Sequence, residues 1–100
     1  MSYLKSTPLR TYMLNFAATD KFILDFLDTR REVLNWYRVF PGTVLITSRA
    51  DLAALTGVIH VSNPWLWFTI SEIDTARVNG FTNPQVWDFI NNPKSSGRWE

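Results

Sequence analysis

The chain contains no cysteine, which excludes disulfides, a thiolate nucleophile and cysteine-held zinc or iron–sulfur centres. That absence suits a reducing compartment. Glycine is scarce, with four in 100 residues, and none is spaced as a phosphate-cradling loop. The single histidine, His60, has no serine and acid spaced around it as a catalytic triad requires. Neither sign of charge dominates, since ten basic residues face nine acidic ones for a net charge of +1. A protein that works by neutralising phosphates carries a basic excess. No apolar run reaches the ~18 residues of a membrane span. The opening stretch MSYLKSTPLR also lacks the apolar segment of a signal peptide. These absences describe a cytoplasmic chain with no membrane partner.

What the chain does have is aromatic bulk: five tryptophans, three tyrosines and seven phenylalanines. One hundred residues suffice for one core and leave too few for a second domain. We expect a single domain over 1–93 and a flexible C-terminal tail over 94–100.

Periodicity divides the chain into elements. TYMLNF (11–16) alternates as a strand, with Tyr12, Leu14 and Phe16 on one face. The next segment, AATDKFILDFLDTR, changes to helical spacing. Thr19 or Asp20 caps it, and Phe22, Ile23, Phe26 and Leu27 form its apolar stripe. Two β-rich runs, 33–40 and 43–48, flank Pro41-Gly42 as a hairpin. An L-Pro-Gly pair favours a type II turn, which suits hairpin twist poorly and points to a longer loop. Ser48 and Asp51 resemble a capping box for a second helix that ends at Gly57. VIHVSNP then reads as a connector and WLWFTISEI (65–73) as the next strand. Finally, TNPQVWDFINNP is a helix punctuated by Thr82 or Asn83, Pro84 and Pro93. The order is β-α-β-β-α-β plus a C-terminal helix. It predicts an α+β, ferredoxin-like domain: a four-stranded antiparallel sheet with its first two helices on one face.

Two helices cover only one face of such a sheet. Leu14, Phe16, Val44, Ile46, Leu66, Phe68 and Ile70 share the chemistry of the helix side. The other face then carries Met13, Asn15, Leu45, Thr47, Trp67 and Thr69. Two covers are available: the C-terminal helix, through Val86, Trp87 and Phe89, or a partner. Strand 65–73 is also an edge with no lysine and no internal proline, a feature that invites pairing unless something guards it. The segment 77–81 either turns back on that edge or crosses to a second copy. The interface candidates are therefore Met13, Asn15, Leu45, Trp65, Trp67, Thr69, Val78 and Phe81, with a homodimer as the expected assembly and a further protein as partner.

The chemistry-bearing residues are sparse. Asp25 and Asp28 sit on a helix face, and Glu72 with Asp74 at a strand end is a weak signal for a hard cation. No catalytic residue, metal or cofactor is assigned. Arg30, Arg31 and Arg38, if clustered, suit an anionic, nucleotide-like ligand.

The closing segment GFTNPQVWDFI (80–90), the Arg30-Arg31 pair after the first helix and a first strand ending in a polar residue carry a resemblance. The chain resembles the small CRISPR adaptation nuclease subunits, and also short uncharacterised bacterial proteins that end on a similar segment. The resemblance spans residues 11–92. It implies a ferredoxin-like fold, dimerisation and an association with nucleic acid. In that family a first-strand aspartate holds the metal, and the matching position here is Asn15. A neutral amide does not replace an anionic ligand or activate a metal-bound water. Purified protein is therefore expected to leave single- and double-stranded RNA and DNA intact in magnesium or manganese. Cleavage that copurifies with the protein and vanishes on mutating Asn15, Glu72 or Asp74 contradicts this expectation.

Overall fold

The computed structural model describes residues 7–100. It shows a small α+β domain: β1 (Arg10–Phe16), α1 (Asp20–Asp28), β2 (Asn35–Phe40), β3 (Thr43–Ser48), α2 (Leu52–Ser62), β4 (Phe68–Glu72) and α3 (Pro84–Asn91), with one 3-10 turn at Thr75–Arg77. The four strands form one antiparallel sheet in the order β2-β3-β1-β4. The element order fits the ferredoxin-like expectation.

Register decides which side chains share a face, because strand residues alternate sides. Leu14 stands opposite Val44 on one neighbour and Ile70 on the other, and Phe16 opposite Phe68. With Tyr12 and Ile46 these residues meet Ile23 and Leu27 of α1 and Leu55 and Ile59 of α2 in the main core. Phe26, Phe68 and Ile70 pack at its margin.

The start of α1 is tied to the hairpin. Thr19 occupies the N-cap without a side-chain bond. Instead, Asp20 accepts from Gly42 N at 2.9 Å and pairs with Arg38. The hairpin turn itself is two residues long, with Gly42 at φ 80°. A longer loop is avoided because the register shifts between Arg38 and Phe40, and a bulge adds the local twist that an unprimed turn lacks. A Cβ on Gly42 would lie 3.2 Å from the Phe16 carbonyl oxygen. Phe16 N in turn donates to Gly42 O at 3.0 Å.

Several sequence readings need correction. Asp51 alone caps α2 by accepting from Ala54 N at 2.8 Å, while Ser48 Oγ accepts from Ala50 N. The helix passes through Gly57 to Ser62, so VIHVS is helical and the connection to β4 is residues 63–67. An interior glycine costs about 0.5–1 kcal/mol relative to alanine. Burying Leu55 and Ile59 on either side contributes about 1.5–3 kcal/mol each, so the helix continues. It stops at Asn63, whose N and Nδ2 both donate to Ile59 O. Strand β4 begins at Phe68 rather than at 65, because Leu66 N donates to Asn63 O at 3.0 Å in a turn. Segment 77–81 adds no fifth strand among the described residues.

The second sheet face is covered from within the chain. Val86 and Ile90 of α3 join Leu45 in a second core, flanked by Met13, Tyr37, Val39, Ile73, Val78, Trp87 and Phe89. Asn83 caps α3 by accepting from Gln85 N at 2.9 Å, and Tyr37 Oη donates to Gln85 Oε1 at 2.8 Å. The domain thus has three layers, with α1 and α2 on one side of the sheet and α3 on the other. The tail bonds to the domain through a backbone bond and two ion pairs. Ser96 N donates to Leu34 O at 2.8 Å, Arg49 binds Glu100 at 2.7 Å and Arg98 binds Asp28 at 2.9 Å.

Tyr12 is fully buried, and its hydroxyl donates to Ala50 O at 2.5 Å. Burial, helped by the nearby Glu72 charge, pushes its pKa from 10.0 up to about 12. A folded-state pKa above the unfolded one leaves stability intact below the unfolded value and removes it as pH rises through the folded value. Denaturant midpoints should therefore hold to pH about 10 and fall toward about 12. Tyr12→Phe should remove that alkaline loss while lowering neutral-pH stability by about 1–2 kcal/mol, because Ala50 O loses its donor. Parallel alkaline losses in the two proteins contradict this assignment.

Candidate interaction surface

An antiparallel strand directs its backbone groups to alternate sides. Trp67 O accepts from Ala17 N at 3.0 Å, and Ile73 N donates to Thr11 O at 2.8 Å. The odd-numbered residues of β4 therefore face β1. Phe68, Ile70 and Glu72 direct their N–H and C=O groups outward, on a strand that ends the sheet.

The two terminal strands differ in their protection. On β2 the bulge at Arg38/Phe40 breaks the ladder, Arg38 adds a charge, and the tail bonds to Leu34 just before the strand. Bulges and charges are the usual guards of an edge. Strand β4 runs in regular register with β1 and has no bulge. Its one charged residue, Glu72, pairs with Arg10 at 3.3 Å.

Aromatic side chains stand at the start of this edge. Trp67 is 83% exposed and Trp65 56%. Phe22, expected in the α1 stripe, is 43% exposed, and its ring centroid lies 5.3 Å from that of Trp65. Ile23, Phe26 and Leu27 already fill the side of α1 that meets the sheet, which leaves Phe22 at the rim. Beside them, Asn15 stands opposite Thr69, and both are exposed. The Asn15 amide oxygen accepts from Thr43 Oγ1 at 2.9 Å.

The structure divides the sequence-derived interface candidates. Asn15, Trp65, Trp67 and Thr69 gather at the β4 end of the sheet. Leu45 is fully buried, and Met13 and Val78 pack with it beneath α3. These three serve the domain's own core, because α3 supplies the apolar cover that a partner was an alternative for. Phe81 is fully exposed in the loop before α3. Phe22 was missed as a surface residue, since its spacing in the sequence is that of a core position.

Arg30, Arg31 and Arg38 do not converge. Arg38 pairs with Asp20 at the start of α1. Arg30, bound to Glu32 at 3.3 Å, and Arg31, 5.9 Å from the Trp99 ring centre, follow the end of that helix. The nine residues of α1 separate these sites by about 13 Å at 1.5 Å per residue. Glu72 and Asp74 are engaged with Arg10 and with Ala76 N and Arg77. Among the described residues no three acidic or histidine side chains gather as a metal site. No helix among them is long and apolar enough to cross a membrane.

Comparison of the chain with protein-family models, curated proteins and solved structures gives no match.

Proposed function

We propose that this chain is a ferredoxin-like interaction module that pairs with a second copy of itself through β4. The observation that carries the reading is the outward row of backbone groups at Phe68, Ile70 and Glu72, beside the exposed Trp65 and Trp67. Strand addition at an open edge supplies main-chain hydrogen bonds, and neighbouring side chains supply specificity. In a twofold antiparallel pairing the outward residues match each other, so Ile70 meets Ile70 of the second copy and Phe68 meets Glu72. The tryptophans then flank the seam. Tryptophan suits this place, since it gives large rigid contact area at interfaces.

The resemblance to the CRISPR adaptation nuclease subunits implies the same habit of pairing, and Asn15 weighs for a role in organising a complex rather than in cutting nucleic acid. Charge argues against phosphate binding as the main role. All seven arginines are engaged, six with a carboxylate and Arg31 with the Trp99 ring.

Light scattering across a micromolar concentration series tests the proposal. The expected mass is twice 11.6 kDa, and Trp67→Arg should lower it to the monomer while leaving the far-ultraviolet spectrum unchanged. A mass that stays at 11.6 kDa on concentrating contradicts it.

A further inference from the structure

We propose that Asn79 is a site of spontaneous deamidation, a covalent modification independent of the β4 edge. Of the seven asparagines, Asn79 is the one followed by glycine, and Asn63, Asn83 and Asn92 precede proline. The reaction needs the backbone nitrogen of the following residue as nucleophile. Proline offers no N–H to release, and glycine offers one with no side chain to shield it.

Geometry supplies the rest. Asn79 and Gly80 are exposed, in the loop between the 3-10 turn and α3. Gly80 N donates to Asn79 Oδ1 at 2.8 Å, which holds the nucleophile against the carbonyl group it attacks. The φ of Gly80 is 153°, a region open chiefly to glycine. Apart from its two chain neighbours, no residue has a heavy atom within 4 Å of where a Cβ on Gly80 would stand, so the rest of the fold leaves this side of the attacking nitrogen open. Asn35 makes the same contact, with Trp36 N donating to its Oδ1 at 3.0 Å. That pair lies in β2, where Asn35 is held in register opposite Thr47 and the attacking nitrogen carries a bulky side chain.

The step balances with water and a solvent base. Gly80 N gives its proton to the base and bonds to Cγ of Asn79. The Cγ–Nδ2 bond breaks, and ammonia leaves after taking a proton from water. Water then opens the resulting succinimide at either carbonyl, restoring a proton to Gly80 N. The product at position 79 is an aspartyl or an isoaspartyl residue, with one water consumed and one ammonia released. Either product places a new carboxylate two residues from Arg77. The isoaspartyl form also lengthens the main chain beside Val78, which packs in the α3 core.

Incubating the folded protein in mildly alkaline buffer at physiological temperature, followed by peptide mass spectrometry, tests the site. The expected result is replacement of NH₂ by OH at Asn79, resolved as two isomeric peptides, while Asn35 stays unconverted. Asn79→Gln should abolish the new species and leave the circular dichroism spectrum unchanged. An unconverted Asn79, under conditions where a free peptide of residues 76–84 converts, overturns the proposal, as does conversion of Asn35 at an equal rate.

Discussion

Strand β3 places Leu45 and Ile46 side by side, and both are fully buried. Neighbouring strand residues point to opposite faces, so the sheet is apolar on both sides and each side must be covered. The rest of the structure follows from this constraint. Helices α1 and α2 close the Ile46 side, and α3 folds back to close the Leu45 side. A sheet covered twice by its own helices has little left to offer a partner except its edges. The bulge and the tail protect one edge, and the other stays open.

The residues that punctuate chain direction made most of this fold legible in the sequence. The alternation of TYMLNF, the Pro41-Gly42 turn and the Asn83-Pro84 start of α3 each act locally, so a short stretch carries the full instruction. Misreadings occurred where tertiary contact overrides a local rule. Gly57 signals a stop, yet the buried Leu55 and Ile59 draw the helix past it. Trp65-Leu66-Trp67 alternates like a strand, but the Asn63–Leu66 turn takes the first of these residues out of the ladder. The partners of the tail, Arg49, Asp28 and Leu34, are each distant along the chain, so no local signal announces those bonds.

The candidate surface was legible only in part. Asn15 and Thr69 stand opposite each other as strand pairing implies, and Trp67 bonds to Ala17 just before them, while Trp65 lies outside the ladder against Phe22. Leu45, Met13 and Val78 belong to the domain's own second core, and no local signal tells whether an apolar face meets its own helix or another molecule. The arginine grouping rested on proximity in sequence, which α1 dissolves by separating Arg38 from Arg30 and Arg31. Phe22 lay hidden because helical spacing marks a stripe and not the width of the surface that receives it.

The central claim is that the open edge of β4 is where this chain meets its own copy. Amide hydrogen exchange resolved by residue and followed across protein concentration tests it most directly. The outward amides of Phe68, Ile70 and Glu72 should exchange quickly in dilute solution and become protected as concentration rises, while Ile73 N, already bonded to Thr11 O, stays protected throughout. Fast exchange at all three outward amides in a sample that is dimeric by mass would place the contact elsewhere and contradict the account.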